Sequence, residues 1–155
     1  MSLAGYIGCN IKIPLSDLDS NDLIIIGNCF SSKFDRQNVH KYQFTTPYVY
    51  EVSSDWGIEI SKSTNTSTSI ESKKKLIRLC EIMDSYLEKG DFFEHYTCWI
   101  GEESEERSSN LILKLNEFDV DQIEMPEKTF VRFEKWAFRW LTNLIEKEVT
   151  VRRMD

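Results

Sequence analysis

Residues 68–100, TSIESKKKLIRLCEIMDSYLEKGDFFEHYTCWI, carry the reading on which the fold class turns. Leu76, Leu79, Cys80, Met83, Tyr86 and Leu87 recur at intervals of three and four, the spacing of one helix face. Thr68 and Glu71 have the spacing of a capping box, and Gly90 stands where a left-handed residue ends a helix. A helix over about 69–89 is therefore expected. Past Gly90 the period changes at once. Phe92–Ile100 is aromatic and β-branched, the composition of a strand.

Working outward, strands are expected on both sides of this unit. Gly5–Ile13 reads as a strand stopped by Pro14. Leu23–Phe30 (LIIIGNCF) is a continuous apolar run, which suits a strand buried on both faces with Gly27 marking a bulge or a close backbone approach. Residues Ser31–Lys41 fit either a loop or a short helix. Tyr42–Val52 is an aromatic β segment interrupted at Pro47, and Trp56–Ser61 is a short strand that would complete a hairpin with it. Residues 62–68 are polar and of low complexity, a mobile loop by composition.

Toward the C-terminus, residues 101–109 form an acidic loop. Leu111, Leu113 and Leu115 alternate with Ile112, Lys114 and Asn116, a half-buried strand, and Thr129–Glu134 is a last short strand. From Phe133 through Trp136, Ala137, Trp140, Leu141, Leu144 and Ile145 the spacing becomes helical, so a C-terminal amphipathic helix is expected over about 134–147. Short connections favour antiparallel pairing. The expected fold is a single α+β domain over residues 1–155, with a mostly antiparallel sheet of about six to seven strands packed against the two helices.

Charge is the clearest functional signal. Residues 91–127 hold eleven Asp and Glu against Arg107 and Lys114, a local charge of −9 in a chain whose net charge is −7. Such a balance argues against sequence-independent nucleic-acid binding, which requires a basic face, and against docking on anionic lipid. No apolar run is long enough to span a bilayer and no signal-peptide pattern opens the chain, so a cytoplasmic protein is expected. The cysteines at 9, 29, 80 and 98 are widely spaced and read as buried thiols rather than a disulfide framework.

Motifs for chemistry are missing. The chain has no nucleophile elbow, phosphate loop, zinc helix or dinucleotide fingerprint, so no catalytic residue, metal ligand or cofactor is assigned. His95 and Cys98 lie three apart on the expected strand, hence on opposite faces. Glu102, Glu103, Glu105 and Glu106 lack the Asn and Gly turns of a calcium loop.

A charge run is by default a solvated face. Here Trp99 and other aromatics stand directly before the acids, an arrangement suited to an oppositely charged partner. The expected function is a non-enzymatic interaction module that binds a basic protein through Trp99, Glu102, Glu103, Glu105 and Glu106, as an immunity protein does a nuclease toxin. The alternative is a small-molecule (effector) binding domain with an aromatic pocket drawn from Tyr48, Tyr50, Trp56, Trp99 and Trp136, and an enzyme of unassigned chemistry ranks third. The apolar stripe of the expected last helix would also serve a homodimer.

Overall fold

The computed structural model describes residues 2–17, 19–27, 31–53, 57–62 and 66–136. Within them the chain runs β1 (Leu3–Cys9), β2 (Ile25–Gly27), α1 (Lys33–Gln43), β3 (Tyr48–Ser53), α2 (Thr66–Tyr86), β4 (Phe92–Trp99), β5 (Ser109–Lys114) and β6 (Thr129–Glu134). The strands form one six-stranded sheet in the order β2-β3-β1-β4-β6-β5. Every pairing is antiparallel except β5 with β6, whose parallel register needs the long crossover of residues 115–128. The expected α+β class and mostly antiparallel sheet are what the structure shows.

Helix α2 forms the floor of the larger core. Leu76, Leu79, Cys80 and Met83 of its buried stripe pack with Ile7 and Cys9 of β1, Val52 of β3, Phe93 of β4 and Val131 and Phe133 of β6. Burial of each such leucine contributes about 1.5–3 kcal/mol. Phe93 and Phe133 stack with ring centres 4.7 Å apart. On the opposite face α1 brings Val39, and the chain beyond it Phe44, against Ala4, Tyr6, Tyr96, Cys98 and Phe130. Covered on both faces, all seven residues of β1 are buried, which is why its sequence does not alternate.

Helix α1 resolves the open reading of Ser31–Lys41. Ser32 Oγ accepts from Asp35 N–H at 3.1 Å while Asp35 Oδ2 accepts from Ser32 N–H at 3.0 Å, a reciprocal cap. The first strand is shorter than expected and ends at Cys9.

Several expectations are corrected. The apolar run from Leu23 supplies only the three-residue β2, which lies at a sheet edge rather than its centre; residues 28–30 lie outside the described set. Trp56–Ser61 does not form a hairpin with β3, whose neighbours are β1 and β2. Among its described residues, 57–61, the one bridge is Ile60 with Met125 of the crossover, and Trp56 lies outside the described set.

The central helix starts at Thr66, so Thr66–Thr68 of the expected loop are helical and Thr68 lies inside the first turn instead of capping it. Tyr86 closes the helix at 40 % exposure, off the buried stripe. Phe133 and Glu134 belong to β6, because Phe133 stacks on Phe93 in the sheet. Lys135 and Trp136 are not helical either, with Lys135 N–H donating to Asp91 O at 2.9 Å, and the rest of the expected C-terminal helix, from 137 onward, lies outside the described set.

Candidate functional site

The acidic loop follows β4 as a series of tight turns. Glu102 N–H donates to Trp99 O at 2.9 Å and Glu105 N–H to Glu102 O at 3.1 Å, with Gly101 at φ 100° between them. That left-handed backbone suits glycine and starts the reversal. Its far end is tied to the residue before β6 by Ser108 N–H donating to Lys128 O at 2.8 Å.

The four glutamates then take three different environments. Glu103 turns inward and is 1 % exposed. Its Oε2 accepts from the buried Tyr6 hydroxyl at 3.1 Å and its Oε1 from Gly101 N–H at 2.9 Å. Burial holds its carboxyl above the ordinary range, against the pull of those donors. Glu102 and Glu105 share one cation, Lys128, at 3.3 and 2.7 Å. Hydrogen bonding to Glu105, and then to Glu102, keeps Lys128 charged by raising its ammonium above the ordinary value. Glu106 is exposed at the outer bend.

The loop is also strapped to α1. Gln43 Nε2 donates to the carbonyls of Glu103 and Glu105 at 3.0 and 2.7 Å. Arg107 donates from Nε to Gln43 Oε1 at 3.1 Å, from Nη2 to Gln43 O, and from Nη1 to Asn110 Oδ1 at 2.9 Å. Its guanidinium also lies 3.7 Å from the Phe130 ring centre, a stacked cation–π contact. Lys128 has φ 63°, a left-handed conformation that costs a non-glycine residue about 1 kcal/mol. The backbone bond from Lys128 N–H to Thr97 O at 2.6 Å holds it there, under the acids.

The binding group expected from the sequence is therefore brought together only in part. Glu105 and Glu106 are on the outer side of the loop, Glu102 is half-buried against Lys128, and Trp99 is half-buried at the loop's base. Glu103 is a structural anchor. The charge presented outward is smaller than four adjacent glutamates imply, because Lys128 and Arg107 fold back beneath them. Lys128 and Gln43 are the positions that sequence reasoning missed; neither carries a local signal, since each meets the loop only through the tertiary fold.

Among the described residues the expected aromatic pocket is not assembled, and Trp56 lies outside them. Tyr48 and Tyr50 belong to β3, and the Tyr50 hydroxyl accepts from Ile13 N–H at 3.1 Å. Trp136 follows β6, with Lys114 Nζ 4.0 Å from its ring centre. Strands β1 and β4 intervene between β3 and β6, a separation of about 14 Å at the usual strand spacing. A groove of 420 Å³ lies elsewhere, lined by Ser16, Asp17, Asp22, Arg78, Glu81 and Tyr86. Arg78 there is engaged with Asp22 at 2.7 Å, and that bond draws the Asp22 carboxyl down to about 2.

His95 and Cys98 face opposite sides of the sheet. His95 is 1 % exposed, and burial lowers its imidazole to about 4, so it is neutral at physiological pH. Cys98 is pushed up by burial and by the neighbouring Glu103 charge, which disfavours the nucleophilic thiolate. Among the described residues no group of three or more His, Cys, Asp or Glu is placed to hold a metal ion. No helix among them is long and apolar enough to cross a membrane. Set against known protein families, curated proteins and solved structures, the chain has no match.

Proposed function

We propose that the protein is a non-enzymatic interaction module that binds a basic protein through its acidic loop, neutralising that partner in the manner of an immunity protein acting on a nuclease toxin. The observation that carries this reading is the fastening of residues 101–108. Glu103, Gln43, Arg107 and Lys128 fix the loop backbone, so the outward carboxylates of Glu105 and Glu106 are displayed without an ordering cost on binding. The net charge of −7 supplies long-range attraction to a basic partner, and the half-buried Trp99 gives the rim an aromatic neighbour.

The test is an affinity capture from the native host with the wild-type chain and with Glu102, Glu105 and Glu106 all changed to Gln, at low and high salt. A basic protein should be retained by the wild type at low salt and released as screening shortens toward a Debye length of about 3 Å at 1 M. The triple variant should fail to retain it. Glu103 is left intact so that the loop keeps its anchor. Retention indifferent to both salt and the three substitutions overturns the proposal.

A further inference from the structure

The two edges of the sheet are finished differently. At the β2 edge, Ser16 closes the outward peptide groups: Ser16 N–H donates to Ile26 O at 2.8 Å, and Ile26 N–H donates to Ser16 Oγ at 2.8 Å. That strand is also only three residues long. Both are ordinary protections of a sheet edge. The β5 edge has neither. It is six residues long, SNLILK, with no proline, no glycine and no acid.

The hydrogen-bond phase of β5 identifies the groups left outward. Leu115 N–H donates to Glu134 O at 2.9 Å, which puts residues 111, 113 and 115 on the side bonded to β6. The alternate residues, Asn110 and Ile112, then turn their N–H and C=O groups away from β6. Among the described residues no strand pairs with this side. The side chains repeat the asymmetry. Leu111 and Leu113 are half-buried against the core under α2, whereas Ile112 is 69 % exposed. An exposed β-branched side chain on an edge that no described strand pairs with is a template for another strand.

The surroundings of that edge carry acids at both ends, outnumbering the cations among them: Lys128 lies 2.7 Å from Glu105 and Lys114 3.9 Å from Glu117, while Arg107 is turned back onto Gln43. Glu105 and Glu106 precede β5 in the fastened loop, and Glu117 and Asp119 follow it at the start of the crossover; all four are exposed. A second copy of this chain pairing antiparallel on β5 with Ser109 opposite Lys114 would set Glu106 opposite Glu117, a like-charge contact at each end. An extended segment with an apolar centre and basic residues at its two ends meets complementary charge at the same positions.

We infer that β5 accepts such a segment of the basic partner as a seventh strand, with backbone bonds at Asn110 and Ile112 and its flanking Lys or Arg side chains against the acids at either end. This rests on the basic-partner reading above and adds to it the place and conformation of the bound chain. Affinity would come from the main-chain ladder and specificity from the charges at its ends.

The probes are two synthetic peptides with the same alternating Val-Thr centre, one ending in Lys-Arg at both termini and one in Ser-Gly. Binding is read by fluorescence anisotropy, and exchange of the Asn110 and Ile112 amides by NMR. The basic peptide should bind the full chain, weaken with salt, and slow exchange at those two amides. Ile112→Pro removes an outward donor without touching the β6 ladder and should weaken binding at least tenfold. Ile112→Lys, an exposed change that keeps the fold, should weaken it likewise. Salt-sensitive binding that is unaffected by both substitutions and leaves the two amides exchanging overturns the edge inference while the acidic-surface reading stands. Equal binding of the neutral peptide overturns the assigned partner chemistry. Slow exchange at Asn110 and Ile112 in the chain alone, whether from self-association or from cover by its own remaining residues, also overturns it, as does failure of the basic peptide to bind.

Discussion

The buried imidazole of His95 should make this protein acid-labile in a way that one substitution removes. Its ordinary value of 6.5 falls to about 4 in the fold because the ring is wholly desolvated within the sheet. Between those values the unfolded chain takes up a proton that the folded chain excludes, so stability falls as pH falls. The gap of about 2.5 pH units, at 1.36 kcal/mol each, amounts to about 3.4 kcal/mol when fully developed. Between pH 7 and pH 4.5 the part realised is about 2.4 kcal/mol.

Glu103 works in the opposite direction. Its carboxyl is raised in the fold, so its contribution is fully present below the unfolded value and is lost as pH rises through the folded one. The Asp22 carboxyl, drawn down to about 2 by Arg78, contributes stability above its ordinary value of 3.8 that disappears only as pH falls toward 2. Down to pH 4.5, therefore, His95 is the group that carries acid loss. Urea unfolding of wild type and His95→Gln across pH 7 to 4.5 separates these effects. The variant starts lower at pH 7, having lost a buried ring, but its stability should stay level or rise on acidification where the wild type declines. Parallel curves, with the difference between the two proteins constant to within about 0.5 kcal/mol, would falsify the reasoning.

Two further outcomes follow from the packing. Glu103→Ala leaves the buried Tyr6 hydroxyl without its acceptor, a loss of about 1–3 kcal/mol in denaturant titration, and returns the more exposed Gly101 amide to water. Glu103→Gln keeps one acceptor oxygen and should lose less; equal losses would mean that the anchoring bonds are not what the carboxylate contributes. Gly8→Ala places a methyl 2.2 Å from Thr46 Oγ1 and 2.7 Å from Phe44 Cδ1, so it should cost about 1–3 kcal/mol of overpacking and lower the melting temperature, whereas an unchanged midpoint would refute the close approach of Phe44 to β1.

How much of the site could be read in advance differs from residue to residue. The charge of Glu102, Glu105 and Glu106 was visible because composition needs no fold. The inward turn of Glu103 was not, since it depends on Tyr6 of β1 standing across from the loop, 97 positions away in the chain. Lys128 carries no local signal, yet the parallel pairing of β5 with β6 sets it beneath Glu102 and Glu105. Helix α1 had a usable signal in the Ser32–Asp35 cap, which composition alone concealed beneath a polar sequence.

What the sequence by itself determined are the features written in short-range periodicity and charge. These are the buried stripe of α2, the strand character of β4, β5 and β6, the α+β class and the acidic balance around β5. Each depends on residues within a turn or two of one another, where helix and strand geometry dictate which side chains share a face. Only the tertiary structure decided the order of the strands, the edge position of β2, the inward role of Glu103 and the outward peptide groups of Asn110 and Ile112. Those follow from which distant segments pair, and pairing is chosen by the joint burial of both sheet faces, a quantity that no local window of sequence contains.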